Sequence, residues 1–359
     1  MARRFRRMLV RLFPLLLALF GTGGCTLIAA ATGAVDFNST PAVANPLSCK
    51  LLKASAYAYQ VNASGPMGED NALARLLGES GEGYAVVSSS SNQSDSDRDA
   101  AYLWLSGKEL IIAFRGTLPY NPNATDSAAQ ALALQDWIND ADFSPQADPD
   151  FGPVHAGFLA SFDNLWPGIL QQIQAWQAAG KLDASSTVYV TGHSKGGALA
   201  RLAALKLKTD KLLPVTEVDT FGAPRVGGAA FAARYAAAGL RDERYENQDD
   251  VVPHVPLNDM ELTLLPLFQK VLALSGKSSG DYVSVGQLHY IKLDGSLVSP
   301  TTPDAEANLD ETRLAEFASV LANPPQQIMD TVIAAHSLGD LSRSDDSRYF
   351  QAVCGAGGG

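Results

Sequence analysis

Apolar positions along the chain change from strand-like runs to helix-like spacing and back. Residues 101–105 and 109–114 are apolar runs joined by Ser106-Gly107-Lys108, which predicts two strands in a hairpin. Further on, the pattern predicts a helix with apolar positions from 158 to 173, a strand at 187–191, a helix at 198–207, a strand at 217–221, a helix at 229–238 and a strand at 244–247. Strands that alternate with helices along a chain usually form a parallel sheet covered by those helices. We therefore predict a single α/β domain with a mostly parallel central sheet and helices on both faces.

The first 25 residues differ from everything after them. A basic stretch from Arg3 to Arg11 precedes the apolar run Leu12 to Phe20 and the small residues before Cys25. This layout predicts a secretory signal over residues 1–25, whose apolar part is shorter than a typical transmembrane helix. Residues 26–46, rich in Ala, Thr and Pro, predict a flexible linker, and residues 47–359 the folded domain.

The three cysteines bear on export. Thr22-Gly23-Gly24-Cys25 resembles the bacterial lipobox, although that pattern usually has Leu where Thr22 stands. Lipid on Cys25 would anchor the exported protein to a membrane, in the periplasm or at the cell surface, whereas the alternatives are an ordinary cleaved signal and a secreted protein, or an uncleaved anchor. Cys49 and Cys354 then remain as a pair, either disulfide-bonded in an oxidising compartment or present as two free thiols.

Composition narrows the class of partner. The formal net charge is −11, and no dense block of Lys and Arg follows residue 25. We therefore expect no nucleic-acid partner. The cysteines have no metal-site spacing, and we expect neither a metal nor a cofactor.

The strongest chemical signal is Gly192-His193-Ser194-Lys195-Gly196, which fits the Gly-x-Ser-x-Gly pattern. A β-branched strand leads into it and an Ala/Leu helix leaves it, the setting that exposes a nucleophilic serine above a sheet. We call residues 192–196 the elbow. We therefore predict Ser194 as the nucleophile. The alternative is a glycine-rich turn without chemistry.

Four other segments, in order, extend this pattern. They are Phe114-Arg115-Gly116-Thr117, Asp136-Trp137-Ile138-Asn139-Asp140, Val154-His155-Ala156-Gly157-Phe158 and Phe221-Gly222-Ala223-Pro224-Arg225-Val226-Gly227. Together with the serine motif they resemble the fungal-type, or class 3, lipases. The resemblance implies an α/β-hydrolase fold, here in an exported bacterial member. Lys195 departs from the family, which commonly has Leu after the nucleophile.

A serine needs a base, and the base needs an acid to orient it. In α/β-hydrolases the order along the chain is Ser, acid, His. Asp249 and Asp250 follow the strand at 244–247, and the resemblance points to Asp250, with Asp249 expected to be solvated.

Elimination among the five histidines supports the choice of base. His155 and His193 precede the nucleophile, His254 lies close to the acid along one loop, and His289 belongs to a predicted strand. His336 remains, and its segment resembles the family's catalytic-histidine segment. The tetrapeptide His336-Ser337-Leu338-Gly339 imitates the family's usual sequence at the nucleophile. No predicted strand leads into it, so we do not expect Ser337 to be the nucleophile.

The resemblance also implies an oxyanion hole and a lid. The backbone N–H groups of Thr117 and Lys195 would hold the developing negative charge, with the Thr117 hydroxyl as a third donor. The alternative for Thr117 is a simple turn residue. Residues between 118 and 142 would include a short amphipathic lid, or else a plain surface excursion.

These residues point to acyl transfer. We expect a serine hydrolase that cleaves carboxylic esters of lipids, as a triacylglycerol lipase or carboxylesterase, through a Ser/His/Asp triad and an acyl-enzyme. Phospholipase A1 and a feruloyl-type esterase are alternatives with the same site. A catalytically silent surface binding protein is the remote alternative, since a fold alone does not give a function.

Overall fold

The computed structural model describes residues 45–61, 72–88, 99–117, 144–257, 281–321, 323, 327, 331, 334–338 and 347–355. The predicted signal sequence with Cys25, the linker up to residue 44, the segment at 136–140 and the predicted lid lie outside these residues. Among the residues described, no helix is both long enough and apolar enough to cross a membrane.

Twelve strands occur in the described ranges. They are β1 (Glu82–Val87), β2 (Ala100–Ser106), β3 (Glu109–Phe114), β4 (Pro145–Asp148), β5 (Gly152–His155), β6 (Thr187–His193), β7 (Val215–Phe221), β8 (Gly227–Gly228), β9 (Asp242–Asn247), β10 (Tyr282–Val283), β11 (Gln287–Ile291) and β12 (Leu297–Val298). Eight of these form one sheet in the order β1-β2-β3-β6-β7-β9-β11-β12. The sheet is parallel from β3 to β11 and antiparallel at both edges.

The helices of the described ranges cover both faces of this sheet. They are α1 (Pro46–Tyr57), α2 (Ala72–Leu77), α3 (Ala156–Ala178), α4 (Lys195–Thr209), α5 (Ala229–Ala238), α6 (Pro303–Leu321) and α7 (Arg348–Cys354), with 3-10 turns at Ala58–Gln60 and Val252–His254. The alternation of side chains along β6 separates the faces: Val188 and Val190 pack into the core with α3 and α4. Thr191 points the other way and bonds Ser55 of α1 at 2.8 Å. The predicted α/β architecture is therefore confirmed.

A second sheet of four short strands was not predicted. Its order is β10-β8-β5-β4, and each strand has only two to four residues. Strands this short, with Pro and Gly in them, carry no alternating apolar pattern from which they can be recognised. Through the bond from the His155 N–H to the Val226 carbonyl, at 2.9 Å, this sheet fixes the start of α3.

The two ends of the described domain meet. Cys49 in α1 and Cys354 in α7 form a disulfide, and their α-carbons lie 4.9 Å apart. A backbone hydrogen bond joins the same two segments next to the disulfide, from the Asn45 N–H to the Val353 carbonyl at 3.1 Å. Of the two alternatives left open for these cysteines, the structure has the disulfide.

Two acidic side chains of β7 lie beneath α1. Glu217 and Asp219 are both buried, and Asp219 has no exposed surface. Burial raises the pKa of the Asp219 carboxyl well above its ordinary value, and the charge of Glu217 raises it further. The folded protein therefore holds a proton on Asp219 at a pH where the unfolded chain has released it.

Asp219→Asn is expected to flatten the pH dependence of stability. Above about pH 4 the unfolded chain loses the Asp219 proton first, so the free energy of unfolding of the wild type falls as pH rises, by up to about 1.4 kcal/mol per pH unit. The Asp219→Asn variant has no carboxyl proton at this position, so its free energy of unfolding should fall less steeply as pH rises. Urea unfolding between pH 4 and 8 measures the difference, with Glu311→Gln, an exposed carboxylate of α6, as the control. Equal slopes for wild type and Asp219→Asn contradict the protonated state.

Candidate active site

The turn between β6 and α4 holds Ser194 in an unusual backbone conformation. Its φ is 56° and its ψ is −135°, angles that a residue with a side chain adopts only when its surroundings hold it there. The Ser194 N–H donates to the Phe221 carbonyl at 3.0 Å. A β-carbon on Gly192 would lie 2.3 Å from the backbone of Gly196, so only glycine allows the turn to close. The predicted strand-turn-helix setting of Ser194 is confirmed.

An acid and a base meet beside this turn. Nδ1 of His336 lies 2.9 Å from Oδ2 of Asp250, and the Asp250 side chain is fully buried. The other oxygen, Oδ1, accepts the Val252 N–H at 3.0 Å. Because a carboxylate only accepts hydrogen bonds, the His336 proton lies on Nδ1, and Nε2 is the basic nitrogen.

His336 is brought to the elbow through the residue before the serine. The rings of His193 and His336 lie 4.5 Å apart between centroids. His193 Nε2 donates to the His336 carbonyl at 2.7 Å. The carboxyl ends of the parallel strands thus bring the three residues together: Ser194 follows β6, Asp250 follows β9, and His336 lies against His193 at the end of β6.

A half-buried tyrosine orients His193 in turn. Since Nε2 donates to a carbonyl, Nδ1 of the neutral ring accepts from the Tyr59 hydroxyl, at 2.8 Å. Burial lowers the pKa of His193 well below its ordinary value, and the neighbouring His336 lowers it further. His193 therefore stays neutral and adds no positive charge beside the base. Sequence reasoning assigned His193 no partner.

Tyr349 of α7 is a site residue that the sequence did not indicate. Its hydroxyl donates to Asp250 Oδ2 at 3.0 Å, so that this oxygen accepts from both Tyr349 and His336. Gly222 lies against all three: its φ is 56°, and a β-carbon there would lie 2.8 Å from Asp250 Oδ2 and from the Tyr349 hydroxyl. Tyr349 is far from Asp250 along the chain, and no local pattern marks it. The sequence indicated Gly222 only as part of the motif at residues 221–227.

Tyr349→Phe is expected to lower kcat about tenfold, because Asp250 loses one of the donors that orient it toward His336. Tyr235→Phe is a matched control, since the Tyr235 hydroxyl donates to the buried Asp242 at 2.8 Å, at the opposite end of β9. Each variant is expected to lose about 1.5 to 3 kcal/mol of unfolding free energy. Only Tyr349→Phe is expected to lose activity; equal kcat values for the two variants would contradict the orienting role.

The two predicted oxyanion donors belong to two segments that meet at the elbow. Lys195 is the first residue of α4, and its N–H has no acceptor within the helix. Thr117 follows β3, where the chain passes close to the elbow: a β-carbon on Gly116 would lie 2.8 Å from the His193 carbonyl. A helix N-terminus is a favourable place for a negative charge, and the end of β3 lies against the N-terminus of α4.

The remaining predicted candidates occupy other places. Asp249, expected to be solvated, is half-buried with a φ of 70°, and burial raises its pKa. His155 caps the start of α3, accepting from the Gly157 N–H at 3.1 Å. His254 stacks on Phe317, with centroids 4.6 Å apart. His289 lies in β11, as predicted for a structural histidine, and its Nε2 is 2.6 Å from Glu243.

Two further observations concern the second serine motif and the possible metal ligands. Ser337 follows the helical residues 334–336 and not a strand, so its surroundings differ from those of Ser194. Within the described ranges, no group of three or more His, Cys, Asp or Glu side chains is arranged to hold a metal ion.

Comparison with known proteins connects part of the chain to one family. Residues 111–260 match the model of the family lipase (class 3). A lipase of Rhizopus niveus is 33% identical over 156 residues, which are 42% of this chain and 35% of the relative. A lipase of Rhizomucor miehei is 33% identical over 160 residues, covering 42% and 38%. Phospholipase A(1) DAD1 of Arabidopsis thaliana is 29% identical over 167 residues, covering 42% and 34%. The match thus spans little more than a third of these relatives' own length.

A solved structure extends the likeness at the level of the fold. A Rhizomucor miehei lipase in complex with its propeptide, in a deletion mutant, aligns with a TM-score of 0.50 and 23% identity, over 71% of this chain and 70% of that one. At this identity the likeness concerns the fold. Residues 111–260, which include Ser194 and Asp250, therefore carry the sequence pattern of the class 3 lipases, within a chain that has the α/β-hydrolase fold.

Proposed function

We propose that this chain is a class 3 lipase, a serine hydrolase that cleaves carboxylic esters of lipids through an acyl-enzyme on Ser194. The observation that carries the proposal is the Asp250–His336 pair at 2.9 Å, held beside the elbow that presents Ser194. This is the order and arrangement of groups that activates a serine in α/β-hydrolases.

The mechanism follows from the atoms at the site. Ser194 Oγ attacks the ester carbonyl carbon while His336 Nε2 accepts its proton. Asp250 stabilises the imidazolium, and His336 then passes the proton to the departing alkoxide. Water, activated by the same nitrogen, attacks the acyl-enzyme and releases the fatty acid and Ser194.

The N–H groups of Thr117 and Lys195 bind the oxyanion that forms in each half-reaction. They belong to fixed backbone, so they require no reorganisation when charge develops. Loss of one such donor typically costs about 2.7 to 4 kcal/mol of barrier. The Thr117 hydroxyl is the third donor proposed at this position.

Neutral lipid esters are the substrate class that the relatives favour, since the first of them are named lipases. Phospholipase A1 activity is the second candidate, because one relative carries that name. The triad chemistry is the same for both, and for a feruloyl-type ester. The groove around the triad selects the substrate. We propose that the predicted lid at residues 118–142 covers this groove.

We propose export as well, with residues 1–25 as the signal, 26–46 as the linker and 47–359 as the catalytic domain. The Cys49–Cys354 disulfide supports an oxidising compartment. Lipid on Cys25 would make the protein a membrane-anchored lipoprotein, and a cleaved signal would leave it secreted. Intact-mass measurement of the exported protein beside Cys25→Ala distinguishes the two.

The test is hydrolysis of p-nitrophenyl esters of short, medium and long acyl chains by the full chain, together with labelling by a hydrophobic fluorophosphonate. We expect turnover, and a label on the peptide that contains Ser194. Ser194→Ala removes both, and Ser337→Ala keeps both. Equal labelling of wild type and Ser194→Ala overturns the assignment. A folded protein without activity on any ester or phospholipid favours the silent binding protein.

A further inference from the structure

The side chain of Lys195 forms an ion pair that the mechanism above does not use. Its Nζ lies 2.7 Å from Asp99 Oδ1. The Lys195 side chain is 18% exposed and that of Asp99 is 7% exposed, so the pair is mostly shielded from water. A cation in the first turn of a helix is disfavoured by the helix dipole. Asp99 therefore supplies the attraction that holds the ammonium in this place.

Asp99 is itself held firmly in the hairpin of β1 and β2. Its N–H donates to Ser88 Oγ at 3.0 Å, and its carbonyl accepts the Ser88 N–H at 2.9 Å. The next carbonyl, that of Ala100, accepts the Arg115 N–H at 3.0 Å. Arg115 stands two residues before Thr117. Asp99, which binds Lys195, is thus connected through Ala100 and one backbone hydrogen bond to the segment that leads to Thr117, the other proposed oxyanion donor.

The two donor segments also touch directly. A β-carbon on Gly196 would lie 2.2 Å from the Phe114 carbonyl, so the start of α4 rests on the end of β3 through backbone atoms alone. This contact sets how closely the segments approach. The ladder of parallel hydrogen bonds between β3 and β6 ends at Phe114 and Gly192, before the chain reaches either donor. The Lys195–Asp99 pair adds a second, attractive connection between them.

We propose that Lys195 and Asp99 are positioning residues, whose ion pair keeps the N–H groups of Lys195 and Thr117 at the separation that an oxyanion requires. The inference rests on the proposed function. Donors to an oxyanion act at about 2.7 to 3.1 Å from its oxygen, so a small shift of one segment weakens both bonds in the transition state. The ground-state ester, whose carbonyl carries less charge, loses less.

The experiment compares Lys195→Met, Asp99→Asn and the double variant in the full chain. Each keeps its backbone N–H. Each single variant is expected to lower kcat about tenfold, with KM within about twofold, and to weaken inhibition by an alkylboronic acid by the same factor, because its serine adduct is a tetrahedral anion. The double variant is expected to match the single ones, since the pair acts as a unit. Lys195→Arg, which keeps the charge, is expected to retain most of the activity.

Lys108→Met is the matched control. Lys108 pairs with Asp183 at 2.5 Å in the turn before β3, and both side chains are about half exposed. This variant is expected to keep the wild-type kcat. Unchanged kcat in Lys195→Met and Asp99→Asn, additive losses, or a rise in KM alone overturns the proposal. If Lys195→Met fails to fold, Asp99→Asn carries the test. A wild type without esterase activity refutes the proposed function and not this step alone.

Discussion

Ser194→Ala is expected to lower kcat for ester hydrolysis by about 10⁶-fold, and Asp250→Asn by about 10⁴-fold. Without its hydroxyl, residue 194 forms no acyl-enzyme. Asparagine at 250 keeps the shape of the side chain but presents an amide to a place where His336 and Tyr349 both donate to Oδ2. His336 is then driven to the tautomer with its proton on Nε2, which cannot accept the proton of Ser194. Steady-state kinetics on a p-nitrophenyl ester measure both losses.

Asp249→Asn is the control for the acid. The side chain of Asp249 is half-buried, and it stands next to Asp250 in the same loop. We expect its kcat to remain within about threefold of the wild type. If Asp249→Asn loses more activity than Asp250→Asn, the acid has been assigned to the wrong residue.

Removal of the disulfide is expected to give the largest loss of stability. The Cys49→Ser, Cys354→Ser double variant should lose about 2 to 5 kcal/mol of unfolding free energy, because cross-linked residues 305 apart restrict the unfolded chain strongly. The loss should also reach the site, since α7 carries both Cys354 and Tyr349. Urea unfolding measures the stability, and kcat at low urea measures the effect on Asp250.

A reductant provides the control for this variant. It should lower the unfolding free energy of the wild type to that of the double variant and leave the double variant unchanged. A double variant as stable as the oxidised wild type would contradict the contribution assigned to the bond.

The sequence allowed the central architecture and the nucleophile to be predicted because both leave local patterns. The apolar runs of β2, β3 and β6 and the helical spacing of α3 were recognisable, and the helix predicted at 229–238 has those bounds. Ser194 was recognisable from glycines whose β-carbons would collide with neighbouring backbone. These constraints act between residues close together in the chain.

Contacts between distant segments were beyond such reasoning. The Tyr59–His193 and Tyr349–Asp250 hydrogen bonds join residues 134 and 99 apart, and no local pattern around either tyrosine indicates its partner. Asp250 and His336 were chosen by resemblance and elimination, since nothing local distinguishes Asp250 from Asp249. The structure adds the reason: the Asp250 carboxylate lies 2.9 Å from Nδ1 of His336.

The bond between Cys49 and Cys354 makes residues 49–354 a covalent ring. A ring can be cut once and remain a single molecule. A protease that cleaves the exposed turn at Gly107, between β2 and β3, would therefore release nothing until the disulfide is reduced. The nicked protein would also keep its strands in register, because the hydrogen bonds of β2 with β3 hold both new ends in the sheet.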